Sequence, residues 1–420
     1  MRRFGWVIAC LAVVCSTFYA FPATPKKSTA PSAAVAAASG VQEALKITQG
    51  PYLQAPSETG MTIVWTTNKN CLPKVEYGTS SSAMQIAFNS RHGLLDANTT
   101  LHRIRLSGLK PGAKYYYRLV STEIVNFQAY KVDFGETIRS DVHSFTTLDK
   151  KKEGFSFEVL NDRHDKVDPL QIALGSIKWP GVGLVVLNGD MMSDLRNEAQ
   201  VFRSVVAPCV KAFATTIPFV YVRGNHEARG YFARMLMDYF PTDSGRYYFS
   251  FDHGPVHFIV LDCGEDKSDT SKEYSGLVDF DRYRDQETDW LKAELRSEAC
   301  RKAAFRVVFL HMPPNTSSST EETRHGAEYI KQKWIPLLNA AKVDLMISGH
   351  THRYAIVKPK EGQSFPIVGG GIDTIIRADV TPRQINVTSA KNDGTEFDKL
   401  TVAKKRRAPA WLAWLGLGQN

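Results

Sequence analysis

At 420 residues the chain is too long for one ordinary domain and suits two, preceded by a leader. A hydrophobic share of 43% against 23% charged residues excludes a wholly disordered or fibrous polymer. The net charge of +9 is dispersed, and its densest run, Lys404-Lys405-Arg406-Arg407, stands apart from every candidate site residue. Specific nucleic-acid binding, which wants a basic stripe interleaved with aromatics near the site, is therefore not expected.

Arg2 and Arg3 precede a largely apolar stretch, residues 7–20, too short for an ordinary membrane span. This predicts export to the periplasm or the exterior, with an uncleaved signal anchor as the alternative. Residues 1–42 read as this segment plus a linker rich in Pro, Lys and Ala. Of six cysteines, Cys71, Cys209, Cys263 and Cys300 lie beyond the leader, enough for a disulfide but with no metal-knuckle spacing.

Residues 43–148 read as strands throughout. Strands are predicted at 61–66, with Trp65, and at 74–77 after a turn containing Pro73; residues 102–106 alternate. Leu109-Lys110-Pro111-Gly112 then turns the chain into a strand that places Tyr115, Tyr117 and Leu119 on one face, and 141–147 closes the module. This is the pattern of a β-sandwich. Leu109, Pro111 and Tyr115 resemble the corner between strands E and F of fibronectin type III domains, which implies that the Tyr115 hydroxyl bonds back to that corner.

After a charged junction at 149–154, strand patterns alternate with helical ones. Helices are predicted at 169–179, 197–207 (ended or kinked by Pro208), 231–239, 287–299 and 328–340 (kinked at Pro336), with a hairpin-like pair at 247–251 and 256–262. Strands cluster again between residues 353 and 402. Two packed sheets flanked by helices are expected over 155–403, leaving 404–420 as a basic, Trp-containing tail. That tail, with Trp411 and Trp414, offers at most a weak contact with a membrane surface.

Five apolar runs in this second region stop at polar residues: Asp162-Arg163-His164, Gly189-Asp190, Gly224-Asn225-His226-Glu227, His311 and Gly349-His350-Thr351-His352. Buried strands that end this way deliver ligands to one edge of a sheet. Two aspartates, an asparagine and four imidazoles besides His226 exceed a structural zinc site and suit two metal ions sharing a carboxylate. Asp190 has two oxygens with which to bridge, and His350 and His352 straddle Thr351. With few carboxylates among the ligands, two divalent ions keep a net positive charge for a phosphoryl group. His226 is the spare imidazole, placed to protonate a leaving oxygen.

In order and spacing these five stretches resemble the calcineurin-like metallophosphoesterases, and with the sandwich in front the chain is similar to purple acid phosphatases and their bacterial relatives. The resemblance implies a mainly β protein with α/β character, in which a fibronectin III-like sandwich precedes a double-sheet phosphoesterase sandwich flanked by helices. It implies one ion held by Asp162, His164, Asp190 and His352, and another by Asp190, Asn225, His311 and His350. His226 would then be the non-ligand acid acting with a metal-bridging hydroxide on phosphate esters. No tyrosine follows Asp190, and His164 is an addition to the purple pattern. Mn, Zn or Fe is thus expected without an Fe(III)–tyrosinate centre. Arg163, Arg229 and His325 are candidates for substrate contact, and Asp194 for supporting a ligand. A phosphorylated small molecule is the expected partner. Monoesters are the first reading and diesters the alternative; a secreted binding or scaffold protein with a vestigial metal site is a third. Oligomeric state is not readable from the sequence.

Overall fold

A computed structural model describes residues 43–315 and 324–404. The leader, most of the tail and residues 316–323 lie outside these.

The first module contains β1 (Ile47–Gln54), β2 (Gly60–Ser80), β3 (Ala83–Ala87), a small ladder of β4 (Ser90–Arg91) and β5 (Leu94–Leu95), β6 (Thr99–Ser107), β7 (Lys114–Gln128), β8 (Lys131–Arg139) and β9 (His143–Thr146). The two strands expected around Pro73 are a single strand, β2. Its first part pairs with β1 and β6, its register shifts between Thr66 and Cys71, and its second part pairs with β7 and β3. That irregularity carries one strand from one layer to the other, so Pro73 sits inside a strand and not in a turn. Trp65, Ile104 and Leu106 face Tyr115, Tyr117, Leu119 and Phe145 in the core. The Lys110 N–H donates to the Tyr115 hydroxyl at 3.0 Å, the corner bond that the resemblance implies. β8, unforeseen because it mixes Gly135 with charged residues, extends the β7 hairpin.

The second module stacks two six-stranded sheets. Along the first sheet the order is β12 (Phe219–Val222), β11 (Val182–Asn188), β10 (Phe155–Leu160), β19 (Thr374–Val380), β20 (Gln384–Lys391) and β21 (Glu396–Ala403). The second runs β13 (Phe249–His253), β14 (Val256–Leu261), β15 (Phe305–Leu310), β16 (Leu345–Ser348), β18 (Ile367–Gly369) and β17 (Ala355–Val357). Phe157, Val159, Val186 and Val222 meet Phe258, Val260, Phe309 and Ile347 between the sheets. Intervening residues such as Val185 and Leu187 face α1 (Val167–Ser176) and the helix that follows β11. Ile259 and Val308 on the other sheet face Ile330, Trp334 and Leu338. Burial on both faces explains why these strands read as unbroken apolar runs. β10, β11 and β12 are mutually parallel, as are β14, β15 and β16. Their C-terminal ends therefore gather at one edge.

Both prolines expected to end or kink helices are absorbed by π turns. α2 (Glu198–Val201) continues through a π turn at Phe202–Val206 into α3 (Ala207–Ala212), and the Ala207 N–H reaches back five residues to Phe202 O. α7 (His325–Tyr329) passes through Ile330–Trp334 into α8 (Ile335–Ala340) in the same manner. Widening the turn makes room for a residue with no N–H and a bulky ring. The expected helix at 231–239 is a 3-10 turn, Tyr231–Met235, followed by α4 (Leu236–Tyr239). That at 287–299 starts earlier and is divided into α5 (Phe280–Glu294) and α6 (Glu298–Lys302), the latter capped by Ser297.

The modules are joined by hydrogen bonds. The Tyr52 hydroxyl donates to Tyr239 O (2.9 Å), Gln54 Nε2 to Phe219 O (3.1 Å) and the Tyr117 hydroxyl to Thr215 O (2.8 Å). At the junction the Asp149 N–H donates to His253 Nδ1 at 3.1 Å, and that ring packs on Phe155. Cys71, Cys209, Cys263 and Cys300 are all free and buried, so the disulfide left open by the cysteine count is not formed among them. Among the described residues no helix is long and apolar enough to cross a membrane.

His257 on β14 lies between Asp252 (Nδ1 to Oδ1, 2.7 Å) and Glu294 on α5 (Nε2 to Oε1, 3.1 Å). Burial alone would lower its pKa, but the two carboxylates outweigh burial and hold it above the ordinary imidazole value. A pKa raised in the folded state makes this contribution full below pH ~6.5 and loses it as pH climbs through the folded value. His257→Gln should cost about 2–3 kcal/mol at pH 6, the low side for a buried pair because both carboxylates retain some water contact. Thermal melts of both proteins should show the gap narrowing toward pH 9; a gap that widens with pH contradicts the assignment.

Candidate metal centre

The five polar stretches meet at the C-terminal edge of the two sheets. The chain there turns sharply away from the strands, and six of its non-glycine residues adopt positive φ: Asp162 (55°), His164 (47°), Asp165 (63°), Asp190 (50°), His350 (70°) and His352 (57°). Such conformations cost on the order of 1 kcal/mol or more each and persist where surrounding bonds over-determine them. Those bonds are present. Asp162, His164 and Asp165 donate their N–H groups to the carbonyls of Gly189, Asp190 and Met191, each at 3.0 Å. Gly224 has no alternative, since a Cβ there would lie 2.2 Å from Asp190 Oδ1.

Asp190 Oδ2 is the hub. His311 Nε2 stands 3.1 Å from it, and His164 Nε2 and His226 Nε2 are each 3.9 Å away. Around Asp162 Oδ1, His352 Nε2 is at 3.6 Å and His164 and His311 at 4.0 Å. Two overlapping donor groups result, Asp162-His164-Asp190-His352 and Asp190-His311-His350, with one donor atom from each residue of a group within 4.8 Å of the others. Asn225 Oδ1 lies 2.9 Å from His350 Nδ1 and extends the second group.

This donor set fits metal ions. His311 Nδ1 bonds to Asn188 O at 2.8 Å, which fixes the ring so that its fully buried Nε2 faces the carboxylates, 3.1 Å from Asp190 Oδ2. His164 and His352 bring their Nε2 atoms to 2.8 Å from one another, a spacing suited to two ligands of one ion. Electrostatics agree. Burial, with Asp190's charge adding to it, pushes Asp162 up to about 6 despite the opposing pull of His311. Burial would raise Asp190 too, but His311 above all holds it well below the usual carboxylate range. The same carboxylates overcome burial to lift His311 to about 10. The group thus demands positive charge. His164 and His350 are driven down to about 4, chiefly by burial, and so are neutral imidazoles at physiological pH, the form in which a histidine can bind a metal.

His226 stands beside this cluster. Its ring packs edge-on against His164, its Nδ1 bonds to Ser193 O at 2.6 Å, and its Nε2 is 3.0 Å from Arg229 Nη1. Arg229 is in turn fixed on Glu265 by two bonds of 2.8 and 2.9 Å. Two other candidates, Arg163 and Asp194, are corrected, and His325 is paired with a half-exposed carboxylate. Arg163 is buried with its guanidinium bonded to Ile372 O, Thr374 O and Asn392, so it is tied to the fold and turned from any phosphate. His325 begins α7 and pairs with Asp281 at 2.7 Å. Asp194 makes a surface ion pair with Arg196, and Asn197 is the residue that caps the helix.

Glu227 does what was expected of Asp194. Fully buried, it accepts the N–H groups of Asp190 (2.8 Å), Met192 (3.1 Å) and Gly224 (2.9 Å) and the Tyr221 hydroxyl (2.8 Å), and so holds two ligand loops together. Asp165 supports the Ser193 N–H, and Asn161 donates to Asp162 and to Gly370 O. A signal for Glu227 existed: a carboxylate directly after His226 in a glycine-led turn.

The family model for calcineurin-like phosphoesterases matches residues 137–354, and that for the N-terminal domain of purple acid phosphatases matches residues 49–147. The chain belongs to the calcineurin-like phosphoesterases. Purple acid phosphatase 21 of Arabidopsis thaliana is 26% identical over 272 residues, covering 62% of this chain and 54% of that protein. Purple acid phosphatase 18 of the same plant is 24% identical over 355 residues, 77% of this chain and 70% of that one. The first of these matches therefore spans about half the length of the relative. Among solved structures, a purple acid phosphatase from yellow lupin (Lupinus luteus) seeds superposes with a TM-score of 0.62 at 15% identity, covering 84% of this chain and 74% of that one. PhoD gives 0.56 at 14% identity, with 84% and 92% covered. At such identities these structures establish the fold.

Two acid-to-amide changes in one segment test the roles read here. Asp190→Asn should lose at least one ion, because an amide offers one good acceptor oxygen and no charge. Asp194→Asn should keep both. Elemental analysis of the two variants decides, and the opposite pattern would mean that the Gly189-Asp190 stretch has been misread.

Proposed function

We propose that the protein is an exported, dimetal-dependent hydrolase of phosphate esters, with monoesters as its main substrates. The observation that carries this reading is the pair of donor groups sharing Asp190. Asp162, His164, Asp190 and His352 would hold one ion, and Asp190, Asn225, His311 and His350 the other. When bound, such a pair supplies Lewis acidity toward phosphate oxygens and lowers the pKa of water. Mn, Zn or Fe(II) suits these ligands. Met191 and Met192 follow Asp190, and Tyr221 commits its hydroxyl to Glu227, which argues against a tyrosinate-bound Fe(III).

Hydrolysis joins water's oxygen to phosphorus, breaks the P–O ester bond and puts a proton on the leaving oxygen. His226 is the residue placed to deliver it. With Nδ1 held by Ser193 O, its Nε2 faces the cluster from a fixed position. Once Nε2 carries a proton, both it and Arg229 Nη1 are donors, and a phosphate oxygen between them accepts from both. The doubly charged phosphate of a monoester gains more from this pair than a diester does. Export rests on Arg2, Arg3 and the apolar stretch behind them.

Purified protein should contain close to two transition-metal ions per chain and hydrolyse p-nitrophenyl phosphate faster than bis-p-nitrophenyl phosphate. It should lose activity on chelation and regain it with Mn or Zn. Absence of metal and of any rescue would leave the scaffold reading instead. His226→Ala should retain both ions while turnover falls by ~10² to 10⁴, and by much less for esters whose leaving group needs no proton. Loss of an ion from that variant would place His226 among the ligands.

A further inference from the structure

Among the parallel strands whose C-terminal ends gather at the metal edge, β14 supplies no residue to either donor group. β10, β11, β12, β15 and β16 run into the residues that would hold the ions, whereas β14 runs into Asp262-Cys263-Gly264-Glu265-Asp266. What β14 delivers is a carboxylate that grips Arg229. Glu265 takes the Nε and Nη2 edge of that guanidinium at 2.8 and 2.9 Å, and Nη1, the arm left over, lies 3.0 Å from His226 Nε2. We infer that Glu265 is the positioning residue that aims Arg229 Nη1 at a terminal phosphate oxygen, and that this pair sets a preference for phosphomonoesters. The inference rests on the phosphoesterase reading and assigns its substrate class to named residues.

The pair is built asymmetrically. The Glu265 side chain is 1% exposed and that of Arg229 31%, so the carboxylate is the anchor and the guanidinium the part a substrate can reach. The anchor is itself held from α5. Arg284, wholly buried there, donates from Nε to Cys263 O at 2.8 Å and from Nη2 to Glu265 O, while its Nη1 pairs with Asp281. Asp262 Oδ1 accepts the Gly264 N–H at 3.0 Å, and a Cβ on Gly264 would fall 2.2 Å from the Phe280 ring, which confines the path of the loop to Glu265. A bidentate grip removes the freedom of the guanidinium before substrate arrives, so less is lost on binding.

Phosphate chemistry supplies the selectivity. A monoester carries three terminal oxygens and a diester two. Where two ions clamp two of them, only the monoester has a third terminal oxygen for a protein donor; the diester presents a second ester oxygen there, a poorer acceptor. Without the Glu265 charge, Asp266, with Oδ1 3.7 Å from Nη2, is the carboxylate left to draw the guanidinium away from His226.

The test uses full-length, metal-loaded protein and the ratio of kcat/KM for p-nitrophenyl phosphate to that for bis-p-nitrophenyl phosphate. Arg229→Gln should cut this ratio by roughly ten-fold or more, the worth of one charge-assisted hydrogen bond, with both ions retained. Glu265→Gln should cut it by about three-fold or more, because a misaimed donor loses most of its value. In the Arg229→Gln background Glu265→Gln should change nothing further, a result that a carboxylate merely holding the loop would not give. A wild-type ratio in either single variant, or a ratio in the double variant well below that of Arg229→Gln, overturns the inference. Should Arg229→Gln fail to fold because Glu265 is left buried and unpaired, Arg229→Lys takes its place. An ammonium on Glu265 has no rigid second arm, so a wild-type ratio in that variant overturns the inference as well. If the wild type hydrolyses neither ester, the phosphoesterase reading falls separately. The pair is then judged by calorimetric binding of inorganic phosphate to the same protein, which Glu265→Gln must weaken for the inference to stand.

Discussion

Burial of three carboxylates within one loop cluster is the constraint on which the rest of this structure depends. Asp162, Asp190 and Glu227 are all but inaccessible to water. Burying one unpaired carboxylate is costly, and gathering three is possible only with strong compensation. Each receives a different remedy. Glu227 is satisfied by four hydrogen-bond donors and is pushed above its usual range by burial, with Asp190's charge adding to it. Asp190 takes the N–H of His226 and the charge of His311. Asp162 takes the N–H of His350 and donation from Asn161.

These remedies explain the loops. Positive φ at Asp162, Asp190 and His350 turns backbone N–H groups and side chains inward together, which an extended strand, alternating its faces, cannot do. Parallel β10, β11, β15 and β16 bring the loops to one edge, and helices on both outer faces fix the sheets. The phosphoesterase core therefore serves the site by aiming strand ends. The sandwich contributes none of the donor groups and adds its hydrogen bonds along the Phe219 and Tyr239 side of the fold.

Much of this was legible in the sequence because buried parallel strands leave a plain signal: an apolar run that stops at a residue able to bind a metal. The runs at Leu160, Leu187, Val222 and Leu310 all show it. What escaped notice depends on contacts distant in the chain. Arg163 sits between Asp162 and His164, yet its carbonyl partners, Ile372 and Thr374, lie more than 200 residues away. Asp194's position soon after Asp190 marks it in the sequence as a supporting group, whereas Glu227's bonds to Asp190 and Met192 join separate loops and leave no such mark. Pro208 and Pro336 read as helix breakers by the local rule, and a π turn, which has no marker in the sequence, relieved the clash. Pro73 misled similarly, since a strand crossing between layers tolerates a residue that a regular ladder rejects.

The central claim is that this cluster holds two ions with Asp190 between them. Anomalous diffraction from crystals grown with Mn²⁺, measured at the metal edge, tests it most directly. The account predicts two peaks about 3.5–4 Å apart on either side of Asp190. One should touch His164 and His352, the other His311 and His350. A single peak, or two that leave Asp190 bound to only one ion, would contradict it.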